Sequence, residues 1–295
     1  MRTIRINRAR PGLGTVVRLM ADAPNEAVAK VAVDRAWAEV QRVEALLHPS
    51  RPGSDLAALH AAPVGARVPA SAMTLGLLRR ARLIHLESGG QFDPCLPGSA
   101  GTFIDLDIGP HRLRRLADLR IDLGGIAKGH AVDRAVRALR SSGCRWGVVD
   151  AGGDLRVFGP RPEPVRLGRH GHVVVEIANA ALAVSEPTAQ APAGHRGYYS
   201  RVPGAIQRAS AAAVLAPTAA EADALAKCAL FMPEAEAAAL CARRGAQLLP
   251  CAWLQPASWS WPASPASPAW PAAPEAAPPG SAQRSQLTQP ESPPT

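Results

Sequence analysis

The run Ile121-Asp122-Leu123-Gly124-Gly125-Ile126-Ala127-Lys128-Gly129 has the residue types and spacing to hold an anion. Its pattern predicts a short apolar strand over 119–123 that carries Asp122, breaks at two glycines and gives way to a helix. Glycines without Cβ atoms let a ligand approach the backbone closely. The unpaired N–H groups at a helix start favour negative charge. Lys128 adds a positive charge near that helix start, and Asp122 can accept hydrogen bonds from a ligand or help hold a cation. A second glycine turn, Val148-Val149-Asp150-Ala151-Gly152-Gly153-Asp154, follows about thirty residues later. Either turn alone is compatible with an ordinary tight turn. The pair, with a lysine and three aspartates attached, points to a nucleotide-type ligand held between strand ends.

Several elements must position these residues. Residues 14–20 read as a first strand and 22–47 as a long helix, in which Val33, Trp37, Val40, Val43 and Leu47 form one apolar face. A second helix is predicted over 73–87 and stops at Gly89-Gly90. The stretch 91–107 reads as loop and carries Phe92-Asp93-Pro94. The helix after the first glycine turn runs to about Ser142. Short strands are expected over 146–150, 155–158, 173–178, 181–184 and 211–215, with a Pro-, Gly- and His-rich loop over 187–203. Helices over 219–231 and 233–244 and a last strand over 246–249 complete the core. From about Gln255 to Thr295 the chain is rich in Pro, Ala and Ser, with Trp259, Trp261 and Trp270 interspersed. Proline removes backbone donors throughout, so this tail is expected to be disordered. The expected organisation is therefore a folded domain over 1–254 and a tail over 255–295.

Composition excludes several classes. The net charge of +9 rests almost entirely on arginine, since lysine occurs only at 30, 128 and 227. Those charges are scattered rather than clustered, and no stacking aromatics accompany the glycine turns, so nucleic acid is not an expected partner. Five cysteines without CxxC spacing argue against a zinc site or a disulfide framework and for buried small apolar residues. The basic first ten residues have no apolar stretch behind them, so neither a signal peptide nor a lipoprotein signal is read there. No run of about 18 apolar residues occurs, so the chain is not expected to span a membrane, and the cytoplasm is the expected location. Nothing matches a GxGxxG dinucleotide fingerprint.

Separated pieces line up in a recognisable order: Gly14-Thr15, Phe92-Asp93-Pro94, the Asp122–Gly129 and Asp150–Asp154 turns, and Ala216-Pro217-Thr218 leading into Ala222-Asp223-Ala224-Leu225-Ala226. Together they resemble the FAD:protein FMN transferases, the ApbE-type flavin transferases, over residues 9–250. The paired motifs IDLGGIAKG and VDAGGDLRVFG carry most of the specificity. The resemblance implies an α+β fold with mixed sheets and packed helices. It implies cleavage of the FAD pyrophosphate, release of AMP, and attachment of FMN through a phosphoester to a Thr or Ser of a target flavoprotein, assisted by magnesium. It places Leu13, Gln91, Phe92, Asp93, Asp122 and Lys128 against FAD and gives Gly125 and Asp223 to the metal. Asp223 and Lys128 are the catalytic candidates. Read without the resemblance, Asp223 is a helix-start carboxylate favoured by the macrodipole.

The sequence also departs from the family. A tyrosine of the family is replaced by Ser50, and its FDPT becomes Phe92-Asp93-Pro94-Cys95, a thiol in place of a hydroxyl. The family's HIIDPRTG segment is reduced to residues 197–204, with His195 two residues before them. One helical turn after the metal aspartate, where the family has a hydroxyl residue, stands Lys227. At i, i+4 spacing it shares a helix face with Asp223. It is expected to lower magnesium affinity or replace the ion, or else to form only a solvent-facing pair. These departures leave two further functions open beside the transferase. One is a flavin carrier or sensor that does not transfer FMN. The other is an interaction role centred on the tail.

Overall fold

A computed structural model describes residues 3–167, 173–186, 198–205, 207 and 211–250. The tail expected over 255–295, together with His195, Gly197 and Cys251, lies outside the described residues.

Strands β1 (Ile4–Gly12) and β2 (Thr15–Ala23) form a hairpin closed by Leu13-Gly14, both with positive φ, 55° and 72°. Paired positive φ values match the right-handed twist of the flanking strands, which is why two-residue hairpin loops use them. Helix α1 (Glu26–Leu47) follows, capped by Asn25, which accepts from the Val28 N–H. Then come α2 (Asp55–Ala61), β3 (Arg67–Pro69), α3 (Ala72–Glu87), β4 (Leu106–Ile108) and β5 (Arg112–Arg115). Helix α4 (Ala127–Ser141) leads to β6 (Trp146–Ala151), β7 (Asp154–Phe158), β8 (Glu163–Leu167), β9 (Val173–Ile177) and β10 (Ala181–Ser185). The described chain ends with β11 (Ala212–Ala216), α5 (Ala219–Phe231), α6 (Glu234–Arg243) and β12 (Gln247–Leu248).

The main sheet runs β1-β2-β6-β7-β10-β11-β12, with small sheets β3-β5-β4 and β8-β9 beside it. The fold is α+β, as the resemblance implies. The sheets, expected to be mixed, pair antiparallel throughout the described residues. Alternation along the strands sorts side chains onto two faces. Val17, Leu19, Ala21, Val149 and Ala151 face the larger core with α1, α4 and α5. Met20, Val148, Leu155 and Val157 face a smaller core closed by the hairpin β8–β9 through Val165, Leu167 and Ile177.

Several expectations need correction. The long helix starts at Glu26, because residues up to Ala23 pair with β1 and β6. The strand expected over 119–123 is irregular apart from one bridge between Ile121 and Cys95. Its backbone groups are satisfied elsewhere: the Asp122 N–H donates to Pro94 O, Arg120 O accepts from Leu96, and the Ile121 N–H donates to His60 Nε2. Strands β1, β3, β4, β5 and β8 and helix α2 are additions to the expected elements, and β4 begins inside the stretch 91–107 expected to be loop. Charged residues dominate several of them, which hides the apolar period. No helix among the described residues is long and apolar enough to cross a membrane. Cys95, Cys144, Cys228 and Cys241 are buried free thiols, as their spacing suggested.

Candidate active site

The first glycine turn opens onto a cavity of about 350 Å³ lined by Gln91, Phe92, Asp93, Asp122, Gly125 and Lys128 from the expected set. It is joined by Pro94, Gly124, Tyr198, Tyr199, Lys227 and Phe231. Expected residues from two distant stretches, 91–93 and 122–128, therefore meet at one place, with Lys227 from a third. Leu13 does not line it; that residue sits in the β1–β2 loop, part-buried against the larger core. Ser50 lines a separate hollow with Pro49, Gly53, His60 and Arg120.

The segment Gln91–Asp93 is held by its neighbours. The Phe92 N–H donates to Ser88 Oγ, and Asp93 Oδ1 accepts from the Cys95 N–H at 2.8 Å. Ser200 Oγ donates to Gln91 Oε1 at 2.9 Å. The Arg201 guanidinium lies 3.8 Å from Asp93 Oδ2 while donating to the carbonyls of Gly101 and Ser99. Burial pushes the Cys95 thiol up to about 12, so it is a neutral thiol near neutral pH. The segment after residue 197, which departs most from the family, thus still frames the cavity. It brings both tyrosines of the chain to the wall. Tyr198 and Tyr199 are not among the expected site residues; the signal for them is their place in the 197–204 segment that the resemblance sets against the family's HIIDPRTG. Burial raises the Tyr199 hydroxyl above its usual range, so it stays protonated.

Lys128 and Lys227 line the cavity, and each is held by a carboxylate buried behind the wall, Asp154 and Asp223. Helix α5 is buried all round, and its alanines allow α4 to come close. At Gly129, a Cβ would stand 2.1 Å from the Ala219 carbonyl oxygen, so only glycine permits this crossing. The approach lets the Gly129 N–H donate to Asp223 Oδ2 at 3.1 Å. Asp223 is fully buried, and its Oδ1 accepts from the Lys227 ammonium. Lys227 is itself 8% exposed, so the solvent-facing alternative is ruled out. Lys128 donates to Asp154 Oδ2, and Asp154 is 1% exposed. Asp154 Oδ1 is buried without a partner among the described residues.

Burial works to raise the Asp223 carboxyl, but Lys227, Lys128 and the Gly129 N–H outweigh it and hold the group below its usual range. Asp154 moves the other way, because burial and the Asp223 charge prevail over Lys128. Burial works to lower both lysines, yet their carboxylate partners keep them above their usual range and therefore charged.

The second glycine turn does not line the cavity. Gly153 donates to Asp150 Oδ1 at 3.0 Å, and Gly152 abuts Thr15. Its contribution is Asp154, which holds Lys128. The expectation of two turns flanking one ligand is corrected: one faces the cavity, and the other anchors the lysine of the first.

The arrangement suits a flat aromatic group joined to phosphates. Phe92, Tyr198 and Tyr199 offer ring surface, and two ammonium groups offer positive charge. The N–H groups expected to be open at the turn are engaged within the protein: Gly124 donates to Asp122 Oδ1, Ile126 and Ala127 to Leu123 O, and Gly129 to Asp223 Oδ2.

Comparisons with known proteins give the family and the fold. A model of the ApbE family matches residues 13–101 and 101–249. An FAD:protein FMN transferase of Treponema pallidum (strain Nichols) is 28% identical over 193 residues, which span 54% of this chain and 53% of that protein. The match therefore spans about half the length of that curated relative. Three solved structures share the fold. The apbe protein of Thermotoga maritima has a TM-score of 0.74 at 19% identity, covering 87% of this chain and 97% of its own. The apo flavinyl transferase ApbE of Pseudomonas stutzeri has a TM-score of 0.70 at 20% identity, covering 83% and 90%. The flavin transferase ApbE of Vibrio cholerae has a TM-score of 0.69 at 18% identity, covering 84% and 93%. With the family model matched across most of the described residues, this chain belongs to the ApbE family.

Proposed function

We propose that the protein is an FAD:protein FMN transferase. It takes FAD as substrate and a flavoprotein with an exposed Thr or Ser as acceptor. The observation that carries this reading is the convergence of Gln91-Phe92-Asp93, the Asp122–Lys128 turn, both tyrosines and Lys227 on one cavity. The acceptor hydroxyl oxygen attacks the phosphorus on the FMN side of the pyrophosphate. A new P–O ester bond forms, and the bond to the bridging oxygen breaks. AMP leaves with that electron pair, and the hydroxyl proton passes to solvent. Phosphoryl transfer asks the protein mainly for positioning and charge stabilisation.

Each residue has a place in that chemistry. Lys128 is the catalytic cation that faces the phosphates, and Asp154 orients it. Lys227 supplies a second ammonium at the wall, and Asp223 acts through it as a positioning residue. Phe92, Tyr198 and Tyr199 hold ring surface, and Gln91, Asp93 and Asp122 offer polar groups beside it. Leu13 is given no role. The magnesium implied by the resemblance does not suit the described residues, since Gly125 and Asp223 both lie against the Lys227 side chain. No step is assigned to it. The catalytic unit is residues 1–254, so truncation after Gln255 leaves FMN transfer intact.

Mass spectrometry tests the proposal. A Thr-containing acceptor flavoprotein incubated with the full chain and FAD should gain the mass of an FMN phosphoester, with AMP released in equal amount. Lys128→Met should abolish both. Bound FAD with no transfer to any acceptor would favour a carrier or sensor, and absence of FAD binding would overturn the reading.

A further inference from the structure

In the quartet Asp154, Lys128, Asp223 and Lys227, each ammonium already sits on a buried carboxyl group. Asp223 has one oxygen on the Lys227 ammonium and the other on the Gly129 N–H. Asp154 has one oxygen on Lys128. A divalent cation against Asp223 would share an oxygen with an ammonium and add two positive charges to a buried site that already holds two ammonium groups, which is strongly unfavourable at low dielectric. Hard cations also gather six or more oxygens. Among the described residues, no group of three or more His, Cys, Asp or Glu is placed to hold a metal.

Lys227 stands where its ammonium can serve a ligand. It lines the cavity, with Nζ 5.4 Å from the centre of the Tyr198 ring. A Cβ at Gly125 would lie 3.7 Å from Lys227 Cδ, so the glycine leaves the lysine stem open to the cavity. An ammonium has three donors, and the carboxylate uses one of them.

We propose that this site receives the pyrophosphate of its ligand on two protein ammonium groups and takes no divalent cation, with Lys227 standing in the ion's place. The ligand's identity rests on the transferase reading, whereas the cation centre is read from the quartet itself.

The experiment uses the full chain and manganese as the probe. Free Mn²⁺ is followed by electron paramagnetic resonance as protein is added, for wild type, Asp223→Asn and Lys227→Thr. FAD binding is followed in parallel by flavin fluorescence, in EDTA and in millimolar magnesium. For wild type, we expect no Mn²⁺ uptake and an FAD Kd that changes by less than about twofold between the two conditions. Lys227→Thr removes the ammonium and leaves an oxygen one turn from Asp223. It should take up Mn²⁺, and its FAD Kd should become metal-dependent by about tenfold or more. Stoichiometric Mn²⁺ uptake by wild type that Asp223→Asn abolishes would overturn the proposal. So would a folded Lys227→Thr that stays free of Mn²⁺ and binds FAD like wild type. If that variant does not fold, the wild-type titration decides alone. A wild type that binds neither FAD nor Mn²⁺ would sink the transferase reading and leave the metal-free centre standing.

Discussion

The two glycine turns look alike in sequence and differ in use. The first, at Gly124-Gly125, faces the cavity and starts a helix. The second, at Gly152-Gly153, packs against Thr15 in the β1–β2 hairpin and starts β7. Both carry aspartates. Asp122 lines the cavity, while Asp154 is buried and reaches across to Lys128. A glycine turn after an apolar run is therefore not itself a ligand site. Its role depends on whether the backbone it frees meets open space or another part of the protein.

Substitutions can break this division. The largest effect is expected from Gly129→Ala, just beyond the first turn, because its Cβ would collide with the Ala219 carbonyl. We expect a loss of about 3 kcal/mol or more, read from urea unfolding. A variant as stable as wild type would show that the helix crossing is not fixed by glycine. Next is Asp154→Asn, which severs the link between the turns. It should cost about 2–3 kcal/mol, less than a fully buried pair because Lys128 keeps access to the cavity. It should also weaken FAD binding, so measured stability and Kd must fall together.

A matched pair sharpens the comparison further. Gly152 has φ 66°, and a Cβ there would stand 2.4 Å from Thr15 Oγ1. Gly152→Ala should lose about 1–2 kcal/mol and leave the FAD Kd of the folded protein unchanged. A Cβ at Gly125 would meet the Phe92 ring at 3.2 Å. Gly125→Ala should cost less than about 1 kcal/mol in stability and weaken FAD binding about tenfold. The reverse pattern in calorimetry would exchange the roles of the turns.

The smallest effects are in pH. Burial lowers His130, on the helix after the first turn, from 6.5 to about 4. Between those values the unfolded chain binds more protons, so stability falls as pH is lowered, by about 1 kcal/mol for this half-buried ring. Burial raises Asp150, in the second turn. There the folded state takes up its proton first, and stability rises as pH falls toward the carboxylate range. Stability-pH curves should therefore flatten between pH 6.5 and 4 for His130→Leu and steepen near the carboxylate range for Asp150→Asn. Unchanged curves would remove this contrast between the turns.

What the sequence made legible follows from the range of each signal. Helix α5 was read as 219–231, matching the structure, because it is long and framed by Thr218 and Met232. Its Asp223–Lys227 contact followed from i, i+4 spacing, although burial of that pair needed the packing of α4. The Lys128–Asp154 contact spans 26 residues with no periodic signature, so sequence showed both residues but not their union. Edge strand β1 was read only as a basic segment, because Arg5, Arg8 and Arg10 dominate it, as charges often do on exposed sheet edges. The apolar stretch 119–123 imitated a strand because burial, rather than sheet pairing, selected its side chains.

Asp133 of α4 accepts from the Ala219 and Ala220 N–H groups at the start of α5, while Asp223 of α5 accepts from Gly129 in the first turn of α4. Each helix thus completes the beginning of the other. Thr218 gives α5 a local cap as well, but α4 has no side-chain cap of its own. The first turn of α4 therefore waits on a residue 94 positions later in the chain. Closing so long a loop comes late in folding. A chain still emerging during synthesis holds the glycine motif long before it holds the cavity, whose Lys227 and Phe231 wall comes only with α5.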